Sequence, residues 1–368
     1  MKIVYIINSL NIGGAEKKVC NLADKIFEDY NFEVSIVSLT NKIKVNPKNK
    51  KINIYSLNIN KNPINIIFGS LKLIKLIKKI NPKIIHSHLY YSNIISRLIK
   101  SIFPNIKIIS TVHNTIEKNN LITHLIRFTD RFSDLNTTVS KSALEKYLKL
   151  GIFNKINSTY VYNGIEINDF QFSNDIRKIV RDEENINQNE FVFISIARLI
   201  KSKGIFDILK AFKLLNKEFM ARLILIGNGP LKNDIKDYIS KNSLEDLILI
   251  KSENTNIKDY LSASDTLLNA SYSEGFSLVS IEALANQIPI IASDIKTHRE
   301  IIGEHALFYP VRNNNSLLKL MTQQLINKKE RTLDYSIEGL KRVEKDFSLY
   351  TSVRIWFKTY KNLVESKK

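Results

Sequence analysis

The sequence predicts an α/β protein with two doubly wound parallel sheets, one in each of two domains. Three observations lead to this fold class. The 368 residues exceed the usual size of a single hydrophobic core. Short runs rich in valine and isoleucine alternate with amphipathic helical patterns, which is typical of parallel strands joined by helices. The alternation stops near Asn163 and restarts at residue 191, so it forms two series.

The first series begins with the apolar run "KIVYIIN" (2–8), followed by the loop "SLNIGGAEKK" and a helical pattern that ends near Phe27. Further strands are predicted at 33–39, 83–88, 106–113 and 134–140. The stretch "NIIFGSLKLIKLIKKI" (65–80) has apolar residues at 73, 76, 77 and 80 and lysines at 72, 75 and 79. This spacing predicts an amphipathic helix.

The second series follows the stretch "TYVYNGIEINDF" (159–170), whose Asn-Gly pair is a turn signal. Strands are predicted at 191–199, 222–229, 247–253, 266–274 and 288–294. The tail from about 346 to 366 predicts one amphipathic helix. We therefore predict an N-terminal domain over 1–165 and a C-terminal domain over 166–345.

The composition fits a soluble globular protein, with 44% hydrophobic and 25% charged residues. The single cysteine, Cys20, cannot form an internal disulfide, which fits a reducing compartment. The first residues lack a signal-peptide pattern, and no apolar run approaches the roughly 20 residues that span a bilayer. We therefore expect a cytoplasmic protein.

The net charge of +19 is unevenly distributed. Residues 1–165 hold 25 lysines and arginines against 9 acidic residues, whereas the remainder holds 30 against 27. Between Glu33 and Glu117 there are 14 basic residues and no acidic one. A bias this local predicts that the first domain meets an anionic partner. An ordinary solvated helix face explains the lysines of 65–80 equally well.

Polar loops follow three predicted strands of the second series. These loops are "ARLIKSKG" (197–204) with Arg198 and Lys203, "GNGP" (227–230) with Gly227, and "SYSEGFSLVSIEALA" (271–285). Each loop also has an ordinary structural interpretation, as a solvated loop, a tight turn, or a helix cap with a surface charge. Because ligands bind beyond the carboxyl ends of parallel strands, their convergence on one edge favours a ligand site.

The third loop holds two glutamates, Glu274 and Glu282, eight positions apart. A glycosidase requires two carboxyl groups roughly 5 Å or 6.5–9.5 Å apart across one bond. Eight residues of helix rise about 12 Å, and Glu274 precedes the predicted helix, so two separate ligand contacts are favoured over an acid pair. Glu282 can accept hydrogen bonds from a diol and Glu274 from a second hydroxylated group. The free N–H groups of the first helical turn can bind an anion between them. A diol, an anion and a second polyol together describe a nucleotide sugar.

The stretch "SYSEGFSLVSIEALANQIPIIASD", with "ARLIKSKG" and "GNGP" upstream, resembles the retaining GT-B glycosyltransferases of family 4. The segments "GGAE", "HSH", "TVHNT" and "VYNGIEINDF" are similar to the family's N-terminal half, so the resemblance covers about residues 1–365. It implies two Rossmann-like domains that face each other across a cleft, with the last helix crossing back to the first domain. It also implies that the first domain binds the acceptor and the second the donor.

The resemblance implies roles for individual residues of the second domain. Arg198 and Lys203 would hold the donor diphosphate, and Glu282 the ribose hydroxyls. Glu274 would bind hydroxyls of the transferred sugar. The backbone would also contribute to donor binding, through Gly227, Gly275, Phe276, Ser277, Leu278 and Val279.

In the first domain, the resemblance places His113 near the reacting carbon, and Gly13 and Gly14 in a loop that approaches the phosphates or the acceptor. Other histidines receive no ligand role. His86 and His88 are expected to point to opposite faces of a strand, and His298 lacks ligand spacing.

The implied function is retaining transfer of a sugar from a nucleoside-diphosphate sugar, with UDP favoured, to a glycan acceptor linked to polyprenyl diphosphate. The chain has no Asp-x-Asp motif, so we expect no metal and no other cofactor. The basic first domain would hold the enzyme on the anionic inner face of the cell membrane. Where the family often has Gly-Gly, this chain reads "IKTHREII". The sequence therefore does not specify the identity of the transferred sugar. The alternatives are an epimerase-like relative without transfer and a nucleic-acid-binding protein. The second lacks a recognised nucleic-acid motif.

Overall fold

The chain forms two compact units in a computed structural model that describes residues 1–60, 62–113, 121–327 and 333–365. Unit 1 comprises Met1–Gly164 and Leu349–Lys368, and unit 2 comprises Ile165–Ser348. The boundary predicted from the sequence between the two domains is 165/166, and the predicted last helix covers about 346–366.

The described part of unit 1 contains a sheet of seven parallel strands in the order β3-β2-β1-β4-β5-β6-β7. The strands are β1 (Lys2–Ile7), β2 (Glu33–Ser38), β3 (Asn53–Ser56), β4 (Ile84–His88), β5 (Lys107–Val112), β6 (Leu135–Thr138) and β7 (Ser158–Tyr160). Since β1, β2 and β3 extend to one side and β4 to β7 to the other, the strand order reverses between β1 and β4. Ligands bind at such a switch point in doubly wound sheets.

Helices cover both faces of this sheet. They are α1 (Gly14–Tyr30), α2 (Pro63–Ile80), α3 (Tyr90–Ile99), α4 (Leu121–Thr129) and α5 (Lys141–Lys149). Alternate residues of β1 point to opposite faces. Tyr5 therefore packs with α1, whereas Ile6 packs with the buried residues Leu73 and Ile77 of α2.

The described part of unit 2 contains a sheet of six parallel strands in the order β10-β9-β8-β11-β12-β13, which reverses between β8 and β11. The strands are β8 (Phe191–Ile196), β9 (Ala221–Ile226), β10 (Ile248–Lys251), β11 (Thr266–Asn269), β12 (Ile290–Ser293) and β13 (Leu307–Tyr309). The helices are α6 (Asn174–Glu183), α7 (Ile205–Leu215), α8 (Lys232–Lys241), α9 (Ile257–Ala263), α10 (Leu278–Asn286), α11 (Lys296–Ile302), α12 (Asn314–Ile326) and α13 (Leu333–Asp346).

The last helix, α14 (Leu349–Glu365), belongs to unit 1. Its residues Leu349, Val353, Trp356 and Tyr360 join the core between α1 and the sheet. The Tyr360 hydroxyl lies 3.0 Å from the Tyr5 hydroxyl, which ties the helix to β1.

These two parallel sheets with helices confirm the predicted fold class. In the described ranges, no helix combines the length and the apolar character needed to cross a membrane.

Candidate donor-binding and acceptor-binding sites

The loops after β8 and β11 lie side by side in unit 2, because these strands are neighbours at the switch point. The backbone N–H of Tyr272 donates to the carbonyl oxygen of Ser202 at 2.8 Å. Gly204 ends a short 3-10 helix with φ of 63°, and a Cβ at this position would overlap the carbonyl oxygen of Ala270. Glycine is therefore required at 204 both for the left-handed backbone and for the close approach of the loops.

Glu274 is the residue on which these loops converge. It is 8% exposed, and the Lys203 ammonium lies 2.8 Å from its Oε1. The Ser271 hydroxyl donates to the same oxygen. The Thr297 hydroxyl donates to the backbone carbonyl of Glu274 at 2.9 Å. Both of these side-chain hydrogen bonds are to Oε1, so the protein holds this oxygen of the carboxylate in place.

The electrostatics of the site keep Glu274 ionised. Burial alone would raise the pKa of this carboxyl, but the positive charge of Lys203 and the neighbouring His298 imidazole lower the pKa below its ordinary value. The site therefore holds a fixed anionic acceptor of hydrogen bonds at neutral pH. An acceptor-only group of this kind suits sugar hydroxyls, which can donate to it.

His298 on α11 completes the surroundings of Glu274. Its side chain is fully buried, and Nδ1 lies 2.8 Å from the carbonyl oxygen of Ser293. Nε2 lies 3.7 Å from Glu274 Oε1, which exceeds a hydrogen-bond distance. The sequence predicts no role for His298, because proximity created by the β12–α11 connection leaves no spacing signal. Thr297, also on α11, has no predicted role for the same reason, whereas Ser271 lies three residues before Glu274 on the same loop.

Helix α10 begins directly after this loop. The Ser277 hydroxyl lies 2.8 Å from Asn269 Nδ2 and 2.7 Å from the Ser280 hydroxyl, and it does not cap the helix. The first-turn N–H groups therefore have no side-chain cap. Gly275 and Ser277 are buried, whereas Phe276, Leu278 and Val279 are half-buried.

Glu282, the second predicted glutamate, lies within α10 and is half-buried. It follows Glu274 on the same loop–helix segment, as the sequence analysis expects. Its assignment to the ribose hydroxyls stays a prediction.

Two further predicted donor-binding residues are Arg198, on the same loop as Lys203, and Gly227, on the loop after β9. Arg198 follows β8, and its exposed side chain forms no ion pair with a described residue. Gly227 follows β9 with φ of 154°, and a Cβ there would overlap the carbonyl oxygen of Ala197. Gly227 therefore has a packing role between two loops, and its role in donor binding stays a prediction.

Unit 1 has a pocket of its own at the ends of β4 and β5. It is lined by Lys18, Leu22, His88, Thr111, His113, Val139, Val161, Asn163, Gly164, Leu349, Ser352 and Trp356. His113 Nε2 lies 3.0 Å from His88 Nδ1. Burial, together with the charge of Lys18, lowers the pKa of His113 to about 3, so the ring is neutral at physiological pH. The structure thus places His113 in a pocket, whereas its contact with the sugar stays a prediction.

The expected orientation of the two histidines of β4 is wrong. Residues two apart on a strand share a face, and the rings of His86 and His88 lie 4.2 Å apart, both buried. His86 is held on both nitrogens, by the Tyr360 hydroxyl at 2.7 Å and the Thr111 hydroxyl at 2.7 Å. It is therefore a structural residue.

The glycines of the first loop lie at the start of α1. Gly14 is the first residue of the helix and is exposed, and Gly13 precedes it with an extended φ of −179°. A Cβ at Gly13 would meet the carboxylate of Glu16, the end of a flexible side chain. Backbone strain therefore does not explain glycine at 13, and the approach of a ligand to this loop stays a prediction.

Comparison with known proteins relates both halves of the chain to glycosyltransferases. Residues 12–169 match the family model described as Glycosyltransferase Family 4, and residues 176–339 match that of Glycosyl transferases group 1. One relative is the N-acetyl-alpha-D-glucosaminyl L-malate synthase of Bacillus anthracis, 31% identical over 53% of this chain and 51% of its own.

Another relative is the N-acetylgalactosamine-N,N'-diacetylbacillosaminyl-diphospho-undecaprenol 4-alpha-N-acetylgalactosaminyltransferase of Campylobacter jejuni. It is 30% identical over 40% of this chain and 41% of its own. The matches span about half the length of the first of these relatives and less of the second. Among solved structures, Anabaena Alr3699/HepE in complex with UDP-glucose superimposes with a TM-score of 0.84. It is 16% identical and covers 98% of this chain and 100% of its own, a likeness that shows the fold.

Proposed function

Because the chain belongs to glycosyltransferase family 4 and has the two Rossmann-like units of the GT-B fold, we propose that it transfers a sugar from a nucleoside-diphosphate sugar to a glycan acceptor. The observation that carries this proposal is the buried Glu274 carboxylate, held on one oxygen beside Lys203 at the switch point of unit 2. We include in the proposal retention of the anomeric configuration and independence from metal.

The leaving diphosphate needs positive charge where its negative charge builds up. Arg198 and Lys203 extend from one loop, and the uncapped first turn of α10 begins on the neighbouring loop. Preorganised cations and helix N–H groups can stabilise a leaving phosphate without a metal ion. The N–H groups of Leu278 and Val279 are the proposed backbone contacts.

The transferred sugar and the ribose are proposed to bind on either side of the diphosphate. Glu274 Oε2 accepts from sugar hydroxyls, with the backbone N–H groups of Gly275, Phe276 and Ser277 nearby, and Glu282 accepts from the ribose. The neutral His113 and the loop at Gly14 are proposed to contact the sugar and the acceptor from unit 1. The proton of the acceptor hydroxyl passes to the leaving phosphate, so no protein nucleophile is assigned.

We propose UDP as the nucleotide and a polyprenyl-diphosphate-linked glycan as the acceptor. The solved complex of Anabaena Alr3699/HepE contains UDP-glucose, and the name of the Campylobacter relative specifies a diphospho-undecaprenol acceptor. These names support the proposal for a chain of the same family. The product would be a surface polysaccharide or a similar glycoconjugate.

A face of unit 1 supports contact with a cytoplasmic membrane surface. On α2, the side chains of Ile67, Phe68 and Leu71 are 61%, 61% and 50% exposed, and Lys72 and Lys75 follow on the same helix. Apolar side chains beside lysines suit the boundary between lipid headgroups and acyl chains. Each lysine near an anionic leaflet contributes about 1 kcal/mol.

The test is binding of UDP-, GDP-, ADP- and CMP-sugars by calorimetry in the presence of EDTA, on wild type and Glu282→Ala. We expect one donor to bind without metal and to lose affinity in the variant. Binding of none would contradict the proposed function. Turnover of the bound sugar without an acceptor would indicate an epimerase, and NMR of the product's anomeric proton would establish or refute retention.

Two further measurements address the parts of the proposal separately. Arg198→Ala is expected to lower turnover by about 10²–10³, the effect of removing a donor that stabilises developing charge. Near-normal turnover would refute the role of Arg198. Sedimentation with anionic and neutral liposomes at physiological salt, on wild type and Phe68→Ser, tests the membrane surface independently.

A further inference from the structure

A second potential cation lies beside Glu274, in addition to Lys203. His298 is fully buried, and its Nε2 is a buried side-chain nitrogen without a hydrogen-bond partner among the described residues. Glu274 Oε1 lies 3.7 Å from this nitrogen. A buried polar atom without a partner is uncommon and calls for an explanation.

The other ring nitrogen fixes what Nε2 can do. Nδ1 lies 2.8 Å from the Ser293 carbonyl oxygen, which only accepts hydrogen bonds, so Nδ1 carries a proton. Nε2 then faces Glu274 either as a lone pair or, in the imidazolium, as an N–H group. Only the N–H group attracts a carboxylate oxygen.

The arrangement of donors explains why His298 does not bond Glu274 Oε1. Glu274 Oε1 already accepts from Lys203 at 2.8 Å and from Ser271. The Lys203 side chain is long and 23% exposed, whereas His298 is enclosed and bonded to the Ser293 carbonyl oxygen. Lys203 can therefore turn toward a ligand, and His298 cannot.

We propose that His298 is a positioning residue that retains the Glu274 carboxylate when Lys203 turns to the donor diphosphate. This inference rests on the proposed function, which gives Lys203 the diphosphate and Glu274 the sugar. Once Lys203 leaves, Oε1 moves toward Nε2 and accepts an N–H bond from the imidazolium. Oε2 then stays directed at the sugar hydroxyls. The other carboxylate near the ring, Asp294, is exposed and paired with Arg299 at 2.8 Å, so Glu274 is the partner.

The chain allows a matched set of substitutions at His298. In His298→Gln, the amide nitrogen can reach the position of Nε2, and in His298→Asn it can reach that of Nδ1. A structural role through Ser293 predicts that Asn is the better replacement. The proposed role through Glu274 predicts that Gln is.

The first measurement compares the affinity of the free nucleoside diphosphate with that of its sugar conjugate, using the base that binds wild type. Because Glu274 is assigned to the sugar, His298→Asn should weaken the nucleotide sugar about 10- to 100-fold, the range of one charge-assisted hydrogen bond, and leave the free nucleotide unchanged. His298→Gln should stay within about threefold of wild type. Equal losses for both ligands, or a better Asn variant, would overturn the proposal.

The second measurement needs no donor and separates this inference from the proposed function. Lys203→Met imitates the departure of the lysine, and ¹⁵N NMR reports the protonation of the ring nitrogens, with His298→Gln identifying the signal. We expect both nitrogens of His298 to be protonated at neutral pH in Lys203→Met. A neutral ring there would overturn the proposal even if nucleotide sugars bind. Failure of every donor to bind, with the imidazolium present, would count against the proposed function alone.

Discussion

The ion pair between Lys203 and Glu274 predicts a specific pattern in a double-mutant cycle. In Lys203→Met, the carboxylate side chain, 4% exposed, loses the Lys203 ammonium. Removing one partner of a fully buried pair costs about 3–5 kcal/mol. Because Lys203 is 23% exposed, water replaces part of its interaction, and Ser271 still donates to Oε1, so we expect a loss of about 1–2 kcal/mol.

The reverse substitution should be milder. In Glu274→Gln the amide oxygen can still accept from Ser271, and the Lys203 ammonium can turn to solvent, so we expect a loss below about 1 kcal/mol. The double variant should be more stable than the sum of the two losses indicates, with a coupling of about 1 kcal/mol. Both single variants and the double variant should lack activity, because each removes a group assigned to the donor.

The assay is urea unfolding followed by far-UV circular dichroism. Fluorescence of Trp356, the single tryptophan, reports unit 1 separately. Hydrogen exchange of the segment 266–277 locates the change in unit 2. Additive losses would show that the two side chains do not interact. Recovered activity in the double variant would show that the pair is structural and that its assignment to donor binding is wrong.

Three further predictions concern stability. Gly204→Ala should lower the free energy of unfolding by about 1–3 kcal/mol, because of backbone strain and overlap with the Ala270 carbonyl. Gly303→Ala should cost less, because Gly303 has a φ of 68° but no contact nearer than 3.5 Å; equal shifts in thermal unfolding would contradict this account. Tyr360→Phe removes a buried hydroxyl that bonds a histidine and a tyrosine of the sheet. The free energy of unfolding, followed by Trp356 fluorescence in urea, should fall by about 1–3 kcal/mol, and nucleotide affinity should stay unchanged. The folded-state pKa of Glu274 is depressed, so its stabilisation is present above the ordinary value of 4.5 and is lost as pH falls below it. The stability difference between wild type and Glu274→Gln should therefore shrink between pH 6 and pH 3.5, and a constant difference would refute the depressed pKa.

The fold was predictable because the central strands of a parallel sheet are buried on both faces. Such strands read as continuous apolar runs, as in β1 and β8. The strands that the sequence analysis missed, β3, β7 and β13, all lie at sheet edges and have three or four residues. Their partial exposure removes the apolar run on which the prediction depends.

The position of the three candidate loops was predictable because chain order places them at the carboxyl ends of β8, β9 and β11. Their internal contacts were not, because they depend on packing between elements distant in sequence. His298 shows the difference. It lies 24 residues after Glu274 with no sequence pattern that links the two, yet α11 places it 3.7 Å from that carboxylate. No spacing rule for helices or strands encodes such a return.

A buried carboxylate next to a proposed diphosphate site poses an electrostatic problem, since like charges repel and burial disfavours the ionised form. The role proposed for His298 offers a solution, because the groups around Glu274 differ in exposure. Lys203 is exposed enough to move to the phosphates, while Ser271 and His298 are enclosed and cannot. A carboxylate held only by Lys203 would lose its geometry on release of the lysine. One that Ser271 bonds and that His298 retains, as proposed, would keep an oxygen directed at the sugar. In the proposed mechanism, Lys203 would then bind the phosphates while Glu274 keeps its contact with the sugar.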